Sequence, residues 1–238
     1  MNRVGAPILV LVILCGACGK PPDAAQPDIP VPPPIIGTVT GTIRLSGTIT
    51  PGPPIKPGMG DESLVFGPGQ TLANVYVAVK SGLGERKFSP PSQPVLLNQV
   101  DLAYSPHVVA LMTNQPLVIR NGDKVMHNEH FLPKRNPPFT GHFPTGTDPI
   151  YPFKFAEVGI RVACDVHPWM RAWVHVSDHP FFAVTERDGK YAISGLPPGD
   201  YEMMAWHERF QNAPLVAKVK VAANQTSTLD FTFEFKPK

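Results

Sequence analysis

From residue 37 to 235, apolar and polar positions alternate in short runs punctuated by Pro, Gly, Asn and Asp. In GTVTGTIRLSG (37–47), Val39, Ile43 and Leu45 fall in one phase, and in LANVYVAVKSG (72–82) so do Val75, Val77 and Val79. A period of two places such residues on one face of a strand. LVI (117–119) reads as a buried strand, NGD (121–123) as a turn, and VMHN as the start of the next strand, with His127 on the face of Val125. After a turn at Glu157–Gly159, Ile160, Val162 and Cys164 share one face while Arg161 and Ala163 take the other. RAWVHV (171–176) alternates again, with Ala172, Val174 and Val176 on one side. Asp188-Gly189 predicts a hairpin turn. Leu196-Pro-Pro-Gly predicts another, between Tyr191–Ile193 and Tyr201–Met203. Residues 218–235 read as two strands around Asn224. The pattern predicts an all-β chain.

Composition supports that class. The 238 residues include 30 prolines and only 17% charged residues, which disfavours long amphipathic helices. The Pro- and Gly-rich stretches 51–70 and 131–150 read as ordered surface loops, the second close to the strand that carries His127. A net charge of +2 supplies no basic stripe, so nucleic acid is not an expected partner. The N-terminus differs from the rest. Arg3 precedes the apolar run ILVLVIL (8–14), too short to cross a bilayer, and CGACGK follows. This resembles a bacterial lipoprotein signal (1–17) that leaves Cys18 lipidated, although Cys15 stands where such signals usually carry Leu. Gly19 after the lipidated cysteine favours the outer membrane by the rules of such signals. Ordinary secretion after cleavage is the alternative. Residues 18–37 form an extended Pro-rich tether.

Cysteine counting changes the picture further. Of Cys15, Cys18 and Cys164, only the last belongs to the folded body, and a single thiol in an oxidising compartment is unusual. It is either an inert buried residue or a metal ligand. Residues 164–170 read CDVHPWM. A continuous strand would send His167 to the opposite face from Cys164, and Pro168 would break a helix. A short loop between two facing strands turns Cys164, His167 and Met170 to one point, and His127 supplies a fourth donor. Two imidazoles, a thiolate and a weak axial thioether form the set that blue copper prefers; zinc also fits the Cys and two His, but Met170 argues for copper. His107, His130, His142, His175, His179 and His207 read as structural or surface residues. Trp173, Trp206, Met126, Met203 and Met204 read as packing. Pro168 and Trp169 read as either core or an apolar docking rim around an exposed edge of His167.

These stretches resemble the cupredoxins, and among them the amicyanin type more than the plastocyanin type. CDVHPWMR fits the ligand-loop pattern C-x-x-H-P-[aromatic]-M-R, and HNEHF (127–131) fits H-N-x-H-F. The resemblance covers residues 100–177. It implies a Greek-key β-sandwich with one type 1 copper held by His127, Cys164, His167 and Met170, and Asn128 tying the two ligand loops together. Two positions depart from the pattern. Val166 stands where a Pro precedes the second His, and its N–H is available to bond the Cys164 sulfur and raise the potential. Ala163 replaces a large residue before the Cys.

The flanks resemble the carboxypeptidase regulatory-like, transthyretin-like β-sandwich, through ERDGKYAISGLPPGDY (186–201) and the strands before and after it. No H-E-x-x-H pattern accompanies it. Two arrangements satisfy this: a split sandwich (38–90 plus 178–235) with a cupredoxin domain (91–177) inserted, or two consecutive domains. Too few strands lie on each side to bury a face alone, which favours the first. The expectation is a non-enzymatic, exported, membrane-tethered protein on the periplasmic or cell-surface side, passing single electrons to an unidentified redox protein. Copper storage or delivery, and a binding module with a vestigial site, are the alternatives.

Overall fold

The computed structural model describes residues 36–47, 61–146, 148–210 and 213–235. The expected signal segment (1–17), the lipidation position Cys18, all of the tether up to residue 35, and the first half of the 51–70 stretch lie outside the described residues. Strands dominate. In chain order they are β1 (Gly37–Ser46), β2 (Tyr76–Ser81), β3 (Val95–Val100), β4 (Ala103–Ser105), β5 (Val108–Met112) and β6 (Pro116–Asn121). Next come β7 (His127–Leu132), β8 (Phe139–Phe143), β9 (Ile150–Pro152), β10 (Glu157–Ala163) and β11 (Arg171–Ser177). The last are β12 (Phe182–Val184), β13 (Lys190–Leu196), β14 (Gly199–Trp206), β15 (Leu215–Val221), β16 (Thr226–Thr228) and β17 (Phe231–Glu234). The fold is all-β.

Early strands pair with late ones. β1 lies between β13 and the β16–β17 pair, and β2 lies between β12 and β14, with β15 beyond β14. The inward residues of these two sheets, among them Val39, Ile43, Val75, Val77, Ile193, Met203 and Phe233, form one core. The strands between them make their own two sheets, β5-β11-β10-β7-β8 and β4-β3-β6-β9. Leu97, Leu117 and Ile119 from one, and Phe131, Ile160, Val162 and Val174 from the other, form a second core that includes Cys164 and Met170. Each pair of sheets is thus a sandwich built by the alternation read above.

The two sandwiches meet along β11. Its even residues Ala172, Val174 and Val176 enter the second core, while Trp173 and His175 face the flanking sheets. There Trp173 meets Trp206 edge-on at 5.2 Å, and His175 stacks on Tyr76 at 4.2 Å. Aromatic pairs at these separations stabilise beyond their buried area, so the seam is packed like an interior.

Several local expectations are corrected. Glu157–Gly159 is not a turn but the bulged start of β10, with a register shift between Glu157 and Ile160 and Gly159 at φ +76°. The stretch 131–150 is not all loop: Phe139–Phe143 forms β8, paired with the His127 strand from His127↔Phe143 to Phe131↔Phe139. Gly141 makes this possible, because a Cβ there would lie 2.5–2.9 Å from the rings of Phe139 and Phe143. In 61–70, Ser63 and Leu64 are buried rather than on the surface. Residues 218–235 hold the end of β15 and two further strands, not two strands in all. Val125 does not share the His127 face: β7 starts at His127, and Val125 and Met126 before it are 45% and 54% exposed.

Candidate metal centre

Three strands deliver the candidate ligands to one end of the second sandwich. β10 lies between β11 and β7, with Ala163 opposite both Arg171 and His130. Cys164 therefore ends one strand just where Met170 precedes the next, and His127 opens the neighbour. The connecting loop is closed by its own backbone: the Cys164 N–H donates to Met170 O (3.3 Å), and the Met170 N–H donates to His167 O (2.9 Å). That tight turn brings His167 back over Cys164, as the broken periodicity required.

His127 Nδ1 and His167 Nδ1 are 3.0 Å apart, and the Cys164 Sγ lies 3.9 and 3.7 Å from them. Bonds from a metal to imidazole nitrogen and thiolate sulfur run about 2.0–2.3 Å. No pair here exceeds twice that length, so the three donors lie close enough together for one ion to touch them all, and among the described residues this is the group with that spacing. His127, Cys164 and Met170 are buried, and His167 is the partly exposed member. Met170 packs in the same core cluster as Cys164.

The surroundings prepare the donors. His127 Nε2 lies 2.9 Å from the Asp123 carboxylate. A ring N–H donating there leaves Nδ1 as the lone-pair nitrogen, aimed at the other donors. Asp123 also accepts the Asp101 and Leu102 N–H groups at 2.7 and 3.0 Å. Burial pushes the Asp123 carboxyl up, but the Leu102 N–H and the His127 ring outweigh it and hold it below the usual carboxylate range. Asn128 joins the two ligand segments: its Nδ2 donates to Asp165 Oδ2 (2.7 Å), and its Oδ1 accepts the Asp165 N–H (2.6 Å). His130 is not in the donor set; it pairs with Asp165 at 3.0 Å. The Tyr104 hydroxyl reaches the carbonyls of Asn128 (3.3 Å) and Ala163 (3.2 Å), beside both ligand strands.

Each expected residue can now be placed. His127, Cys164 and His167 converge, and Met170 is fixed by the backbone of the same loop. Among the described residues the partners of the Cys164 sulfur are the two imidazoles; the Val166 N–H is not one of them, and the Val166 side chain is 47% exposed. Pro168 is exposed, whereas Trp169 is half-buried, donates Nε1–H to Leu102 O (3.0 Å) and sits 5.4 Å from the His167 ring. His175, His179 and His207 are buried and His142 is exposed. The sequence reading missed Asp123, Asp165 and Tyr104. An acidic residue four positions before His127 was the only available signal for the first.

No protein-family model matches the chain, and no curated protein matches it. Solved structures similar to part of it include a copper-containing nitrite reductase from Thermus scotoductus, 18% identical over 41% of this chain and 25% of that one, with a TM-score of 0.34. A purple cupredoxin from Nitrosopumilus maritimus is 21% identical over 35% of this chain and 99% of its own, with a TM-score of 0.31. Amicyanin from Paracoccus versutus is 20% identical over 42% of this chain and 97% of its own, with a TM-score of 0.33. The matched part thus spans a quarter of the nitrite reductase and nearly all of the two small proteins.

Proposed function

We propose that this chain carries single electrons through one type 1 copper held by His127, Cys164, His167 and Met170. The observation that carries the reading is the convergence of two imidazole nitrogens and one thiol within 3.0–3.9 Å, with His127 oriented by Asp123. Copper bound to such a mixed set exchanges one electron between its two oxidation states. The chain does the rest. Strand ends and the Asn128–Asp165 brace hold the donors in place, so little rearrangement accompanies the exchange. The second core excludes water from Cys164 and Met170. His167, partly exposed beside the exposed Pro168 and Val166, is the edge through which an electron leaves, and with Val125 and Met126 near His127 it offers an apolar rim to a redox protein.

In this reading residues 91–177 are a cupredoxin-like domain inserted into a transthyretin-like sandwich of 38–90 and 178–235, tethered at the outer membrane through lipidated Cys18. The protein is a carrier rather than an enzyme. Voltammetry of the chain loaded with one equivalent of copper tests this: a reversible one-electron wave with the metal retained through repeated cycles is expected. Loss of copper on each reduction would favour delivery and sink the carrier.

A further inference from the structure

The flanking sandwich touches the candidate ligand loop through a buried carboxylate. Glu208 opens the short 3-10 turn Glu208–Phe210 that follows β14, and its side chain is 7% exposed. Its Oε1 lies 2.5 Å from His107 Nε2, and its Oε2 lies 3.5 Å from Arg171 Nε. Arg171 is the residue after Met170 and the first of β11. His107 precedes β5, the parallel neighbour of β11, and the two strand starts are joined by the Trp173 N–H donating to His107 O (3.0 Å). A second acid from the flanking part, Asp61, lies 3.8 Å from Arg171 Nη2 and is held from the other side by Arg209 at 3.4 Å. Arg209 in turn bonds Ser63 Oγ at 3.1 Å.

This arrangement has a mechanical meaning. Met170 is bound by its backbone to Cys164 and His167, and the next residue, Arg171, has its guanidinium within ion-pair distance of Glu208 and Asp61. Burial raises the Glu208 carboxyl, yet the His107 bond and nearby cations more than offset this, so it stays charged and able to hold Arg171. Were copper held here, the Met170 thioether would be its weakest donor and the one most sensitive to small shifts of the backbone that carries it.

We propose that Glu208 is a positioning residue: acting through Arg171, it sets where Met170 sits, and so makes the flanking sandwich a tuner of the metal centre. The proposal rests on the copper reading above and adds to it that the flanking sandwich shapes the site rather than merely supporting the sandwich that holds it. A partner that moved the 208–210 turn would be felt at Met170.

The test uses the full chain with Glu208→Gln, Arg171→Met and both together. In the metal-free protein, hydrogen exchange reads the Cys164 and Met170 amides against the Ile119 amide, whose partner is Pro149 O in the same sandwich. Glu208→Gln should speed the first two by about threefold to tenfold, as a small loss of local stability does, and leave Ile119 unchanged. With copper, Glu208→Gln should raise the reduction potential and change the ratio of the two visible charge-transfer bands. In the Arg171→Met background it should do neither, because residues acting in series are not additive. Asp61→Asn, a milder cut, should give the same signs. Unchanged exchange and potential in Glu208→Gln overturn the proposal, as does an equal shift in the Arg171→Met background, which marks a bare charge effect. A wild-type chain that forms no copper band overturns the copper reading and the tuning with it, whereas the exchange data alone decide the clamp.

Discussion

Asp123 decides which nitrogen of His127 faces the other donors. Its carboxylate is itself pinned by two backbone N–H groups, so the imidazole has a fixed partner rather than a mobile one. Asp123→Asn keeps the shape and removes the charge. It should weaken copper binding by about 10–100-fold and raise the reduction potential; competition against a chelator of known affinity checks the first, and an unchanged affinity would remove Asp123 from the account. This residue also shows where sequence reading stops. Cys164, His167 and Met170 were legible because their donors lie within one seven-residue stretch whose periodicity breaks. Asp123 was read only as part of a turn, because its meaning depends on the Asp101 and Leu102 amides, which the fold brings in from another strand connection. Tyr104 and Asp165 were missed for the same reason: their partners lie 24 to 59 and 37 residues away along the chain.

Elements were legible where alternation was unbroken and illegible where one residue interrupted it. Val77 and Val79, with Val75 just before them, and likewise Ala172, Val174 and Val176, gave the correct inward faces of β2 and β11. β10 was shortened because Gly159 looked like a turn. In the structure Gly159 lets the strand bulge at φ +76° while the Trp206 ring packs where a Cβ would stand, 3.1 Å away. Gly159→Ala therefore meets both a disfavoured backbone conformation and a crowded seam. It should destabilise the protein by about 1–3 kcal/mol, measured by urea unfolding of the metal-free chain. A loss below a few tenths of a kcal/mol would mean that the bulge and the Trp206 contact are not constraints. β8 escaped notice because its five residues sit among prolines and the centre of its alternating face is Gly141 rather than an apolar side chain.

At the scale of the whole molecule, two sandwiches share a seam of aromatic and histidine side chains, and that seam has a pH signature. Burial drives His175 in the seam down to about 3, and His207, which packs on Phe210 and Phe233 of the flanking sandwich, down to about 4. Each stays neutral in the fold while the unfolded chain takes up a proton near pH 6.5. Their folded values are depressed, so stability is full above pH 6.5 and is lost as pH falls, by roughly 1.4 kcal/mol per pH unit for each histidine. The depressed carboxyls of Asp123, Glu157 and Glu208 lose their contribution only below about pH 4.5, the unfolded range of such groups. Between pH 7 and 5 the Glu129 carboxyl, pushed up to about 8 by burial, works the other way and gains stability as pH falls, so the histidines are read by difference: in urea unfolding the wild type should lose more stability from pH 7 to 5 than a His175→Gln, His207→Gln double variant does. Parallel profiles for the wild type and the double variant would mean that neither imidazole is held neutral by burial. The sequence showed Trp173 and Trp206 as core residues but not that they face each other, since that contact exists only once early and late strands close around the middle segment. Whether the His127, Cys164, His167 and Met170 donors hold a type 1 copper is decided by the visible spectrum of the full chain after addition of one equivalent of Cu(II). An intense blue thiolate-to-copper band that disappears in Cys164→Ser while the fold persists is the expected result. A colourless wild-type protein, or one that keeps its band without Cys164, would contradict it.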